Sequence, residues 1–125
     1  MVKTIILSKA DYVLLSTYIK NHSAAFSQYS LKKLAVELQS AKIVEEDKLP
    51  KDVVRLNSEV RIVDVEQKKD MTLKLVLPSE ANVKENKISI VAPLSTALIG
   101  YSKGDIIEWE VPSGTKRFKI LEVNN

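Results

Sequence analysis

The sequence predicts an α+β protein in which a short N-terminal helical hairpin precedes an antiparallel sheet domain that holds one short helix. Two observations support this prediction. Apolar residues recur at helical spacing over roughly the first 45 residues, whereas from residue 53 they recur at every second position. The chain has 125 residues, which is enough to bury one core without disulfides or metals. We expect a coiled-coil-like hairpin at residues 1–50 and the sheet domain at residues 51–125.

Two helices are predicted in the first part. Ser8 precedes Asp11 by three positions, which is a variant of the capping box at a helix start. Helical spacing then follows at Tyr12, Leu15 and Ile19. After a break at residues 21–23, a second helix with Ser30 as its expected cap is indicated by Leu31, Leu34, Ala35, Leu38 and Ala41. Each helix would be only about 18 Å long at 1.5 Å per residue.

The second part predicts short strands joined by turns. A charged connector at residues 45–50 leads into it. Strands are expected at residues 60–65, 71–77, 87–91, 106–111 and 115–123. The first of these is apolar at both alternating sets of positions, so we expect both of its faces to be buried. In the last strand, the alternation breaks at Ile120 and Leu121, which predicts a β-bulge. Its basic residues are expected to be solvated on an edge strand.

Turn residues divide these strands. Pro78 ends the second strand, and a polar loop follows at residues 79–86. Residues 93–100 read as a short helix, because a proline stands near the first position and a glycine just past the end. Further turns are expected at residues 103–105 and 112–114.

Composition excludes several kinds of chemistry. The chain has no cysteine and a single histidine, His22, so disulfides, zinc fingers, iron–sulfur sites and thiol nucleophiles are excluded. We predict no catalytic, cofactor-binding or metal-binding residues and expect a protein that is not an enzyme. The net charge of +3 is spread along the chain, so the sequence shows no concentrated basic face for nucleic acid, although folding could still assemble one. No signal peptide or membrane span is visible, which predicts a cytoplasmic protein without a membrane partner.

One block of the sequence has a recognisable order. It comprises ISIVAPLSTALIG at residues 88–100, KGD at 103–105 and VPSG at 111–114. This order resembles the C-terminal domain of the bacterial Gre transcript-cleavage factors. The upstream segment VVRLNSEVRIVD at residues 53–64 is similar to the form in Rnk, the regulator of nucleoside diphosphate kinase, and so is ILSKAD at residues 6–11. The resemblance spans nearly the whole chain and is most specific in its C-terminal block.

The resemblance implies an FKBP-like sheet domain and a partner. It implies binding to bacterial RNA polymerase, at the coiled coil on the rim of the secondary channel, with nucleic acid contacted only indirectly through the polymerase. The residues implied for this contact are Val91, Ala92, Pro93, Leu94 and Ser95. The sequence departs from the family pattern in two places, because Ala92 replaces the usual serine and Ser95 replaces the usual glycine.

The hairpin tip bears on mechanism. In Gre factors, a long coiled coil carries acidic residues that help to hold Mg²⁺ at the polymerase active site, and Mg²⁺ prefers carboxylate oxygens. Residues 21–30 contain no Asp or Glu. We therefore expect polymerase binding without stimulation of transcript cleavage. The tip residues of interest are His22, Phe26 and Tyr29; His22 is expected to be solvated, and the two aromatic rings either pack back on the hairpin or mark a contact.

Two other functions stay open at this point. An FKBP-like peptidyl-prolyl isomerase would need an aromatic pocket, for which the chain after residue 50 offers Tyr101, Trp109 and Phe118. A protein-binding module could have another target, or pair with a second copy through the hairpin. The sequence leaves the oligomeric state and the regulated transcription step open.

Overall fold

A computed structural model describes residues 4–111 and 114–125, with only the backbone of residues 110 and 111. The elements in chain order are β1 (Ile6–Ser8), α1 (Lys9–Asn21), α2 (Gln28–Ser40), β2 (Lys42–Val44), β3 (Glu59–Asp64), β4 (Asp70–Val76), β5 (Lys87–Ser89), α3 (Pro93–Leu98), β6 (Ile106–Val111) and β7 (Gly114–Asn124). The α+β class is confirmed, with the helical part first and the sheet second. Of the predicted turn at residues 112–114, Pro112 and Ser113 lie outside the described residues.

The two long helices each begin with a serine cap. The predicted cap of α1 is confirmed, because the Asp11 amide donates to Ser8 Oγ at 3.1 Å. The Asp11 carboxylate, however, accepts from the Leu56 amide at 3.2 Å, a longer-range bond than the capping box would give it. For α2, the prediction of Ser30 is wrong: Ser27 is the cap and accepts from the Ser30 amide at 3.0 Å. The apolar spacing of α2 begins only at Leu31, so the sequence pattern placed the start of the helix too late.

A small parallel sheet joins the two ends of the helical region. Ile6 pairs with Lys42 and Ser8 pairs with Val44, so β1 and β2 run side by side. The sequence did not predict this pair, because a strand of three residues is too short to show a period.

The main sheet has five strands in the order β5-β4-β3-β7-β6. It is antiparallel except at β5, which runs parallel to β4. The predicted antiparallel sheet is confirmed for the other strands, and β5 is the exception, since residues 77–86 make two 3₁₀ turns and carry the chain back to Lys74 within β4. The bulge is confirmed: Arg61 lies opposite Glu122 and Ile62 lies opposite Ile120, which leaves Leu121 as the extra residue.

Two expectations about individual strands are corrected. In β3, Val60 and Ile62 are buried but Val65, just past the strand, is exposed, so the segment buries mainly one face. The basic residues of β7 do not lie on an edge strand, because β7 pairs with both β3 and β6. Arg117 instead forms an ion pair with Glu66 across the exposed face, at 3.3 Å.

One buried core includes side chains from both parts of the chain. From the helical region it takes Leu15, Phe26 and Leu34, and these lie in the same cluster as Val60, Ile62, Leu75 and Ile120 of the sheet. The division at residue 50 is therefore a change in secondary structure, and as a domain boundary it stays a prediction.

Candidate functional site

The segment at residues 91–95 joins β5 to α3 through a tight turn. Ser89 holds this turn, since its Oγ accepts from the Val91 amide at 3.2 Å and its carbonyl accepts from the Ala92 amide at 3.0 Å. Ala92 is the N-cap of α3, with extended backbone and without a side-chain cap. Pro93 occupies the first helical position, where its fixed φ suits the helix start.

Four of the five residues predicted for docking reach the surface. Pro93 is exposed, and Val91, Ala92 and Leu94 are half-buried. Ser95 is only 1% exposed, so it faces the interior. The accessible part of the segment is thus a small apolar turn with a rigid proline at its apex.

The predicted hairpin-tip residues have three different environments. His22 is exposed at the C-cap of α1, with its ring 5.4 Å from that of Tyr18. Phe26 is buried in the core, so this ring packs back on the fold and is not available for an outward contact. Tyr29 is half-buried in the first turn of α2.

The structure brings the start of α2 next to the docking segment. Thr96 of α3 places its Oγ1 3.0 Å from Ser30 Oγ and 2.8 Å from the Pro93 carbonyl oxygen. Ser30 Oγ in turn lies 2.9 Å from Ser27 Oγ. The two sites that the sequence predicts separately, at residues 22–29 and 91–95, are therefore linked by buried hydroxyl groups.

A second polar link joins the other half of α2 to the chain just after α3. The Tyr101 hydroxyl donates to the Glu37 carboxylate, and Lys33 Nζ lies 3.1 Å from the same carboxylate oxygen. Burial raises the pKa of Tyr101 far above its ordinary value, and the hydrogen bond to Glu37 raises it further, so this hydroxyl stays protonated. Sequence reasoning missed this link, although Glu37 stands three residues after Leu34 and four before Ala41, on the apolar side of the helix.

The described residues form no group that could hold a metal ion, and the aromatic rings after residue 50 lie in or against the core. Within residues 4–111 and 114–125, no group of three or more His, Asp or Glu side chains could hold a metal ion. Tyr101 and Phe118 are buried in the core, and Trp109 packs on Phe118 with ring centroids 5.8 Å apart. Two of these three rings lie in the interior and Trp109 is half-buried against the core, so together they do not line the open aromatic cleft that a prolyl isomerase needs. None of the helices in this part of the chain is long and apolar enough to cross a bilayer.

Comparison with known proteins identifies similar sequences. A family model described as "Transcription elongation factor, GreA/GreB, C-term" matches residues 49–125. Transcription elongation factor GreA of Clostridium botulinum (strain Hall) is 41% identical over 100 residues, covering 80% of this chain and 62% of that protein. GreA of Acetivibrio thermocellus is 40% identical over 86 residues, covering 69% of this chain and 54% of that protein. The chain thus spans less than two thirds of the length of these relatives.

Solved structures agree with this likeness. A prokaryotic transcription elongation factor GreA/GreB from Nitrosomonas europaea is 34% identical, with a TM-score of 0.80 and coverage of 99% of this chain and 100% of that chain. Gfh1 of Thermus aquaticus is 24% identical, with a TM-score of 0.56 and coverage of 99% and 100%. The second match bears on the fold alone.

Proposed function

The chain belongs to the GreA/GreB transcription elongation factor family, and on that basis we propose that it binds bacterial RNA polymerase and regulates transcription. The observation that carries the proposal is the exposed turn at residues 91–94, which lies inside the region that matches the family model. Such a protein would act in the cytoplasm as a binding factor, with no chemistry of its own. A closer relationship to Rnk stays a prediction.

Docking would use the apolar turn at the rim of the polymerase secondary channel. Pro93 fixes φ at the apex, so little backbone entropy is lost when the turn binds. Val91 and Leu94 flank it and offer apolar contact. Ala92 weakens the start of α3, because alanine at an N-cap costs about 1 kcal/mol relative to serine. Ser95 is buried and its hydroxyl has no hydrogen-bond partner among the described residues, so it would act in docking only through packing.

We further propose that docking occurs without stimulation of transcript cleavage. Residues 21–30 offer no carboxylate, so they cannot supply the ligands that Mg²⁺ prefers. Each helix of the hairpin has 13 residues, which corresponds to about 20 Å. Phe26 anchors the tip in the core, so the tip is not free to extend. A protein of this shape at the channel rim would compete with other regulators that enter the channel.

A pull-down from a bacterial lysate tests docking. The tagged chain should recover RNA polymerase, and Pro93→Arg should abolish recovery because a long charged side chain replaces the apolar apex. Pro78→Arg is the matched control, since Pro78 is also exposed and also begins a short helical turn. Docking is refuted if the wild-type chain recovers no polymerase, or if both variants behave alike.

A transcription assay on arrested polymerase tests the proposal that docking does not stimulate transcript cleavage. We expect no cleavage of the transcript by the complex, and inhibition when a cleavage-active Gre factor is added afterwards. Cleavage stimulated by this chain alone would contradict the argument from the hairpin tip. Recovery of a different protein in place of polymerase would favour a binding module with another target.

A further inference from the structure

We propose that α2 positions the docking turn, and that Ser30 and Glu37 are the positioning residues. This inference rests on the proposed docking function, since it concerns how the same site is held. It adds a role for a helix that ends some fifty residues before the turn in sequence. The argument uses the weakness of α3 alone and the two polar links that α2 makes to it.

Helix α3, which begins at Pro93, is poorly stabilised by its own sequence. Helix α3 has six residues, and isolated helices shorter than about 12 residues are marginal in water. Its N-cap, Ala92, supplies no side-chain acceptor for the free amides of the first turn. The bonds to Ser89 hold the backbone only up to Ala92, so support for the orientation of α3 itself must come from elsewhere in the fold.

The first link is a chain of hydroxyl groups with a defined direction. A hydroxyl carries one proton, and the Pro93 carbonyl can only accept, so Thr96 donates to Pro93 over the 2.8 Å contact. The Ser30 hydroxyl then donates to Thr96 Oγ1 over 3.0 Å. Ser27 donates to Ser30 over 2.9 Å, and its own Oγ accepts from the Ser30 amide. Each proton in the chain has an acceptor, and the chain ends on the carbonyl at the apex of the turn.

Burial makes this chain specific. Ser30 is 1% exposed and Thr96 is 2% exposed, so water cannot replace a missing partner. Buried polar groups that lose a partner are costly, which favours the arrangement in which Ser30 and Thr96 are paired with each other; Ser27 lies at the exposed end of the chain of hydroxyls. The N-terminal turn of α2 and the N-terminal turn of α3 are thereby held in one relative position.

The second link fixes the other half of α2. Glu37 lies seven residues after Ser30, which places both on the same side of the helix. Fully buried Leu34 lies between them on that side. Glu37 accepts from Tyr101, just after α3, and Lys33 pairs with Glu37 and lies 4.9 Å from the Tyr101 ring centroid. Two contacts at separate points prevent α3 from rotating against α2, which a single contact would allow.

Hydrogen exchange on the free protein tests the positioning independently of polymerase. The amides of Ala92, Thr96 and Ile99 are hydrogen-bonded within the turn and α3. Their protection should fall at least about fivefold in both variants, because Ser30→Ala removes the hydrogen bond to Thr96 and Thr96→Val leaves the buried Ser30 hydroxyl proton without an acceptor. Glu37→Gln should act in the same direction through Tyr101. Amides of β3 and β7 should keep their protection.

Two matched variants serve as controls. Ser40→Ala removes an exposed serine from the same helix and should leave the turn unchanged. Thr96→Ser keeps the hydroxyl and should restore protection that Thr96→Val loses. A uniform loss over the whole sheet would show general destabilisation, and no loss at residues 92–99 would show that α2 does not position the turn; either result overturns the inference.

Polymerase affinity completes the test. Ser30→Ala, which is distant from the apex in sequence, should weaken binding at least about fivefold, while Ser40→Ala binds like the wild type. If the wild type binds no polymerase, the docking proposal fails while the exchange result still decides the positioning. If the wild type binds and Ser30→Ala binds equally well despite a loosened turn, the positioning inference is wrong.

Discussion

At the scale of single residues, the most informative groups are two carboxylates in the interior. Asp11 is 4% exposed and accepts from the Leu56 amide across the fold. Glu37 is 1% exposed and is paired with Tyr101 and Lys33. Both belong to the helical region, and both bind residues of the second part of the chain. These two buried polar contacts therefore join the helices to loop residues of the second part of the chain, in addition to the shared apolar core.

The first prediction concerns Asp11. Burial raises the pKa of this carboxyl, and the hydrogen bond from Leu56 and the charge of Arg55 oppose that rise only in part. A carboxyl whose pKa is higher in the folded than in the unfolded state binds protons more tightly when the protein is folded. The free energy of unfolding therefore falls as the pH rises from below the unfolded pKa of about 3.8 through the raised folded pKa. Asp11→Asn keeps an acceptor for Leu56 and removes the buried charge. We expect it to raise the melting temperature at pH 7.

Thermal unfolding followed across pH checks this expectation. The advantage of Asp11→Asn should vanish in acid, where the wild-type carboxyl is protonated. Asp52→Asn is the matched control, because Asp52 is exposed, and it should show no such gain. A melting temperature of Asp11→Asn that is lower at pH 7 and higher in acid would contradict the sign of the argument.

Sequence reasoning reached some of these residues and missed others for a physical reason. The Ser8 cap was predictable because its partner is three residues away. The burial of Asp11 and Glu37 was not, because their partners are 45 and 64 residues away. Pro93 was predictable as the start of a helix from the proline and glycine positions, and as a docking residue only from the family resemblance, whereas its link to Ser30 depends on tertiary packing and leaves no local pattern.

At the scale of elements, the end of α3 is held against β1. The Ile6 amide donates to the Gly100 carbonyl at 3.1 Å, and the Gly100 amide donates to Val54 at 2.9 Å. Gly100 has φ +85°, and a Cβ there would lie 2.8 Å from Ile5 Cβ. Glycine is thus required at this position for two reasons, its positive φ and the close approach of the Ile5 side chain.

The second prediction compares two glycines. Gly100→Ala should destabilise the protein by about 2–4 kcal/mol, since it combines a strained positive φ with overpacking against Ile5. Gly104→Ala is the control, because Gly104 has φ +92° but open space around a new Cβ. It should cost only about 1–2 kcal/mol. Urea unfolding of both variants measures the difference, and equal losses would show that the contact with Ile5 does not matter.

Predictability from sequence differed among the elements. The bulge at Leu121 was visible because it breaks a regular alternation in a long strand. The pair β1–β2 was not visible, since each strand has three residues. The parallel direction of β5 depends on the path of the loop before it, which no local spacing records.

At the scale of the whole molecule, one core spans the helices and the sheet. Leu15 and Leu34 of the helices are fully buried in the same cluster as Ile62 and Ile120 of the sheet. A hairpin that folded as a separate arm would keep its apolar side chains between its own helices. We therefore expect residues 1–50 and 51–125 to unfold together in one transition.

Two probes report on the two parts separately. Far-UV circular dichroism follows the helices, and the fluorescence of Trp109, the only tryptophan, follows the sheet. Their urea curves should coincide in the wild type. In Leu34→Ala both curves should shift together to lower urea, which corresponds to a loss of about 2–5 kcal/mol in the free energy of unfolding, because the cavity lies in the shared core. Val36→Ala is the control on the same helix, since Val36 is 53% exposed, and it should shift neither curve appreciably.

The contrary result has a definite meaning for function. If the helical signal is lost at lower urea while Trp109 is unchanged, the helices form a separate unit, and the division at residue 50 is a true domain boundary. In that case α2 could detach from the docking turn, and polymerase binding would survive loss of the hairpin. Coincident curves mean the opposite: the docking turn keeps its shape only while α2 is folded against it, so a truncated chain of residues 51–125 should bind polymerase more weakly than the full chain.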